Sequence, residues 1–297
     1  MSGAGRFDLA AYLKKWGQAV DETLDRLLPP ADAFPPALHQ AMRYSLFAGG
    51  KRFRPILCLA ACETVGGNPD LALPAAAAIE MVHAYSLIHD DLPAMDNDDF
   101  RRGLPTCHKK FGEALAILAG DALLTEAFAA VVRAPQLDPW LKNVVVAELA
   151  AAAGSRGMVG GQAVDMEKEG GAFTEDDLDY IHEHKTAAMI AMAAAVGGIV
   201  GNGTEDEVEA LRDYGRYLGL AFQIADDVLN VIGGRELGKG VGTDRARGKA
   251  TYPALLGLEE SKAQAREMAR RATDALAGFG PAAALRSLAE FVVERKK

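Results

Sequence analysis

Apolar side chains return at three- and four-residue spacing along much of this chain, the period of helices with one buried face. Leu9, Leu13, Trp16, Val20, Leu24 and Leu27 set that period at the start, and Pro29-Pro30 ends the amphipathic helix they predict. A short helix through Met42 and Leu46 leads to Gly49-Gly50-Lys51-Arg52-Phe53-Arg54-Pro55, where the glycines turn the backbone and Pro55 opens the next helix. The stretch from Pro74 is rich in Ala, Ile, Met and Val without strand-like alternation. It predicts a helix that starts at Pro74 and stops near Leu92, before Pro93. Helical runs follow over 111–132 and 140–153. Thr174-Glu175-Asp176-Asp177 and Thr204-Glu205-Asp206-Glu207 are capping boxes. The first opens a helix carrying His184-Lys185-Thr186; the second opens one that runs through Tyr214 and Leu218 to Gln223. Thr251-Tyr252-Pro253 begins the closing helices, of which the last is amphipathic through Leu288 and Phe291.

With 297 residues, 49% of them hydrophobic, and no Ser/Gly- or Pro-rich linker, the expected organisation is one large all-α domain over 1–297. A net charge of −9 argues against nucleic acid and against an anionic membrane surface as partner. Cys58, Cys62 and Cys107 have neither metal-ligand spacing nor disulfide density, so they read as reduced core thiols of a cytoplasmic protein. The N-terminus has no basic start followed by an apolar core, which excludes a signal peptide. The longest uncharged run, 186–204, is broken by glycines and Asn202 and falls short of a membrane span.

The chemistry concentrates after the helix from Pro74. Asp90, Asp91, Asp96, Asp98 and Asp99 crowd the helix end, where the macrodipole disfavours negative charge. Clustered carboxylates there call for a hard divalent cation. His83 precedes Asp90 by two helical turns and shares its face. A second acidic pair, Asp226-Asp227, is followed at i, i+4 from Asp226 by Asn230. Both pairs are flanked by apolar residues, which sets them apart from a solvated acidic face. Facing each other across a helical cavity, they would hold several Mg²⁺ ions around a polyphosphate. Lys51, Arg52 and Arg54 crowd a helix N-terminus, itself an anion site. Arg101 and Arg102, being adjacent, point in different directions and can serve two anions.

Asp90-Asp91-Leu-Pro-Ala-Met-Asp96 with Arg101-Arg102, and the later Asp226-Asp227, resemble the two aspartate-rich motifs of trans-isoprenyl diphosphate synthases. The long form of the first motif is most like that of bacterial farnesyl diphosphate synthases. The resemblance implies an isoprenoid-synthase helical bundle around a central cavity, working as a homodimer. It implies Mg²⁺, or Mn²⁺ in its place, held by Asp90, Asp91, Asp96, Asp226 and Asp227. It also implies that Lys51, Arg54, His83 and Arg102 grip isopentenyl diphosphate and that Arg101 serves the allylic diphosphate. Lys185, Thr186 and Gln223 then act at the forming cation, and Lys239 and Lys249 in a glycine-rich basic loop bind phosphate. Gln162 and Asp165 match a further family segment, either as support for those residues or as a satisfied core pair. In the family, a bulky aromatic at Tyr85 or Ser86 marks short-chain products, here fifteen carbons with twenty as the alternative. Two departures stand out: Ala187 replaces a common Gly, and Asn230 a common Asp. A terpene cyclase would not need the second basic set, and a catalytically silent subunit would have lost parts of these motifs.

Overall fold

The computed structural model describes residues 7–232 and 249–294, and Lys239 lies outside them. The chain runs through α1 (Leu9–Leu27), α2 (Pro36–Leu46), α3 (Phe53–Thr64) and α4 (Pro69–Asp90). A two-residue hairpin, β1 (Phe100–Arg101) with β2 (Leu104–Pro105), then precedes α5 (Cys107–Phe111), α6 (Glu113–Val132) and α7 (Pro139–Ala153). After α8 (Met158–Lys168) and α9 (Glu175–Ile181) comes a π-helical turn, His182–Ala187, continuing into α10 (Ala188–Val200) and α11 (Glu205–Ile232). The last elements are α12 (Tyr252–Leu256), α13 (Leu258–Ala275) and α14 (Ala283–Glu294).

The expected all-α fold is present, and both capping boxes form: Thr174 with Asp177, and Thr204 with Glu207. The start of α4 differs from expectation. Asn68 caps it by accepting from the Asp70 N–H, Pro69 takes the first position, and Pro74 lies inside the helix. Asn-Pro is the stronger start signal, because the cap satisfies an orphan N–H and proline has none to lose.

α4 packs against α3 and α6, and α10 lies between α3 and α11. α10 and the middle of α4 are buried on nearly every side, which is why neither shows an amphipathic stripe. Cys58, Cys62 and Cys107 are buried and free, and burial pushes the Cys62 thiol up to about 11, so all three sit as small core residues. α4 and α6 are long and apolar enough to cross a membrane by length and composition, but most of α4 is inside the fold. α6 instead leaves Ile117, Leu118 and Val132 exposed, with Trp140 of α7 beside this face in sequence order.

Two close approaches set the helix spacing around the later site residues. A Cβ on Gly161 would lie 2.3 Å from the Lys185 N, so α8 runs directly against the π-helical turn. A Cβ on Gly219 would lie 2.5 Å from the Ala187 Cα. The room that Ala187 takes, where the family commonly has Gly, is left open by Gly219 on the facing helix.

Candidate active site

The end of α4, the start of α3, the π-helical turn and α8 line a cavity of about 530 Å³. Its polar end carries Arg54, His83, Asp90, Lys185, Thr186 and Gln162, and its walls are Leu92, Met95, Ile117, Met158 and Val159. Tyr85, Ser86 and His89 line it too, but no α4 residue before His83 does. His83 and Asp90 thus face one space, as their spacing predicted. A narrower pocket on the other side of α4 is lined by Glu80, His83, Asp91, Arg101 and Arg102.

Adjacent acids part company at the first motif. Asp90 faces the large cavity, where burial pushes its carboxyl up to about 6, Lys185 pulls it down, and the Asp96 charge adds to the rise. Asp91 is buried on the other side and takes a forked contact from Arg101, with Nε at 2.9 and 3.0 Å and Nη2 at 2.6 Å. Asp96 is held by the Lys249 ammonium at 2.8 Å. In the second motif Asp227 is buried and accepts from Gln223 Nε2 at 2.9 Å and from the Tyr252 N–H at 3.2 Å. Of the five acids expected to hold metal, Asp91, Asp96 and Asp227 therefore accept from protein donors, Asp91 and Asp227 while buried. Sequence cannot separate Asp91 from Asp90, because the split depends on helix phase at one residue's resolution.

Gln223 turns its carbonyl to the Thr186 hydroxyl, which donates at 2.8 Å, so Thr186, Gln223 and Asp227 form one chain of hydrogen bonds. His182 closes the far end, with Nε2 3.6 Å from Asp227 Oδ2 and its ring stacked on Tyr252. Burial above all holds this imidazole down at about 3; Asp165 pulls the other way and Lys185 adds to the depression. Lys185 itself is tied to Asp165 at 2.6 Å and is no snorkelling surface residue. Gln162 Oε1 is buried without a partner beside the cavity, which makes it an acceptor available to a ligand.

The arginines diverge as their adjacency predicted: Arg101 turns to Asp91, and Arg102 bonds the Gly49 carbonyl and lies over Gly50. Arg54 sits over the Phe222 ring at 6.0 Å and Lys51 over Phe291 at 5.3 Å. Burial lowers the Arg54 and Arg102 guanidinium pKa values, with Glu80 opposing. Burial and then the charges of Arg54 and Arg102 hold His83 neutral, so it meets an anion as a hydrogen-bonding group. Sequence reasoning passed over His182, Tyr252, Glu80 and the anchoring of Arg52. Only the i, i+3 spacing of His182 from Lys185 hinted at any of them.

A hard cation fits this donor set. Asp90 and Asp96 repel one another in a desolvated place, and oxygen donors of that kind suit Mg²⁺. Among the described residues no three ligating side chains converge into a closed cage.

Comparison with known proteins gives one answer. Residues 35–278 match the family described as Polyprenyl synthetase. Two plant chloroplast proteins are each 48% identical and align with 98% of this chain. One is the heterodimeric geranylgeranyl pyrophosphate synthase large subunit 1 of Arabidopsis thaliana, covered over 80% of its length. The other is the geranylfarnesyl diphosphate synthase of Leucosceptrum canum, covered over 82%. The crystal structure of an FPP/GFPP synthase from Zymomonas mobilis superposes with a TM-score of 0.86 at 38% identity, covering 96% of this chain and 98% of that one.

Proposed function

The chain belongs to the polyprenyl synthetase family, and from that premise we propose that it joins isopentenyl diphosphate head-to-tail to an allylic diphosphate. The observation that carries this reading is the large cavity, lined by Asp90, Lys185 and Thr186 together with the apolar Leu92, Met95, Ile117, Met158 and Val159. It suits a molecule with a diphosphate head and a hydrocarbon tail. The allylic C1–O bond breaks, the isopentenyl double bond attacks C1, and a proton leaves the new chain to the departing diphosphate.

Lys51, Arg54, His83 and Arg102 hold the isopentenyl diphosphate. Asp90, Asp96 and Asp226 would hold Mg²⁺, for which Mn²⁺ can substitute; when bound, it neutralises the departing diphosphate. Lys185 adds a charge-assisted bond to the same leaving group and Asp165 orients it. Arg101, fixed by Asp91, is placed to do likewise. The Thr186 hydroxyl and Gln223 carbonyl present lone pairs toward the allylic cation, and the apolar walls keep water from it. Lys249, on Asp96 in this structure, would serve diphosphate when that acid takes metal. We further propose a homodimer in which a second copy covers Ile117, Leu118 and Val132 of α6.

For product length we propose fifteen carbons. Tyr85 is 6% exposed, lines the cavity about 7–8 Å back from Asp90, and leans on His89 at 5.7 Å between ring centroids. A twenty-carbon product is the second reading, and the geranylgeranyl name of the Arabidopsis thaliana relative fits it better. Purified protein with labelled isopentenyl diphosphate, each allylic partner and Mg²⁺ tests both. Incorporation abolished by EDTA supports the reaction, and no incorporation with any partner overturns it. Chromatography of the dephosphorylated alcohols decides the length. Tyr85→Ala is expected to lengthen the product by one five-carbon unit or more, and an unchanged product removes Tyr85 from that role.

A further inference from the structure

The basic turn contains a cation that cannot grip a ligand. Arg52 is 5% exposed, and all three of its guanidinium nitrogens are already committed. Nε donates to Asp21 on α1 at 2.7 Å, Nη1 to Glu80 on α4 at 2.8 Å, and Nη2 to the Leu46 carbonyl at the end of α2 at 2.8 Å. Its backbone takes φ 48°, a left-handed conformation uncommon for a residue with a Cβ, so the turn is pinned in shape as well as in place. Lys51 and Arg54 leave this pinned residue on either side, one toward Phe291 and the other into the large cavity. Glu80 is 3% exposed and stands one helical turn before His83. Besides its bond to Arg52, its charge is felt by Arg54 and Arg102.

We propose that Arg52 and Glu80 are a positioning pair for the isopentenyl diphosphate site. Arg52 fixes the turn that aims Lys51 and Arg54, and Glu80 is the buried counter-charge that lets guanidinium groups from two separate segments share one site before an anion arrives. Neither side chain touches substrate. The inference rests on the proposed reaction, but it separates two explanations of the same ion pair. If the pair acted only through net charge, Arg52→Met would weaken anion binding, Glu80→Gln would strengthen it, and Arg52→Lys would resemble wild type. If it positions, all three variants shift the same way, because an ammonium cannot reach three partners that a planar fork spans.

The test is steady-state kinetics with each substrate varied, together with calorimetric binding of isopentenyl diphosphate without an allylic partner. The expected result is a KM for isopentenyl diphosphate raised about tenfold in Arg52→Met and Arg52→Lys and about threefold in Glu80→Gln, with the allylic KM moved by less than about twofold. Effects of opposite sign, an equal rise for both substrates, or no change overturns the proposal. If Arg52→Met fails to fold, the near-isosteric Glu80→Gln and the charge-conserving Arg52→Lys decide alone. Wild-type protein inactive with every substrate pair would sink the reaction, and calorimetry on the same variants would still decide the role of the pair.

Discussion

The two acidic motifs use the same device with different backing. Each turns one aspartate of its pair to protein donors, Asp91 in the first and Asp227 in the second. At the end of α4 the backing donor is a guanidinium, so the Asp91 charge is matched by an opposite charge at 2.6 Å. On α11 an amide and a backbone N–H donate to Asp227, and the imidazole beyond them is held neutral. The first motif is thus anchored by charge and the second by a hydrogen-bond chain that reaches Thr186. The two ends of the reaction site should accordingly fail in different ways.

The largest expected effect falls on the acids proposed to hold metal. Asp90→Ala and Asp226→Ala should each lower kcat roughly a thousandfold with the circular dichroism spectrum unchanged. Near wild-type turnover in either would take that acid out of the proposed metal site. Next comes stability at the first motif. Asp91→Asn leaves the Arg101 charge without its partner and should cost on the order of 3 kcal/mol in urea unfolding. A loss no greater than that of Asp227→Asn would mean that the guanidinium is not what anchors this end.

A pH titration sharpens the second motif. His182 has a folded pKa of about 3, well below its ordinary value. Below about pH 6.5 the unfolded chain therefore binds a proton that the folded one refuses, so stability falls with pH until about pH 3. At pH 5 this should amount to about 2 kcal/mol, absent in His182→Gln. An imidazole resonance titrating at 6.5 or above would put a cation beside Asp227 and make the two motifs alike. The smallest effect is Asp227→Asn itself. Through the bonds from Gln223 and the Tyr252 N–H it should cost about 1 kcal/mol in unfolding, and it should lower kcat through Thr186 and Gln223 without changing the Mg²⁺ concentration for half-maximal rate. A shifted Mg²⁺ requirement would return Asp227 to the metal.

Much of this was legible in the sequence, for identifiable reasons. The helices, the capping boxes and the shared face of His83 and Asp90 follow from local periodicity. The divergence of Arg101 and Arg102 follows from adjacency. What stayed hidden is long-range or sub-residue. Arg52 meets Glu80 across 28 positions and Asp21 across 31, and no local pattern pairs them. Which aspartate of a pair faces the cavity depends on a rotation of about 100° along a helix, finer than a boundary read from Pro93. The π-helical turn holding Lys185 and Thr186 arises where α8 and α11 press on it, and only the folded neighbours reveal that.

The contact between Gly219 and Ala187 also constrains how such a sequence can change over generations. The nearest atom to a Cβ on Gly219 is the Ala187 Cα at 2.5 Å, a backbone atom that stays whatever residue stands at 187; the Ala187 Cβ follows at 2.9 Å. Gly219→Ala must therefore push α11 off the turn that carries Lys185 and Thr186, with Ala or with Gly at 187. Ala187→Gly leaves only a methyl-sized gap, at about 1 kcal/mol. Lineages are thus free to exchange Ala and Gly on one side of this contact and are held to glycine on the other.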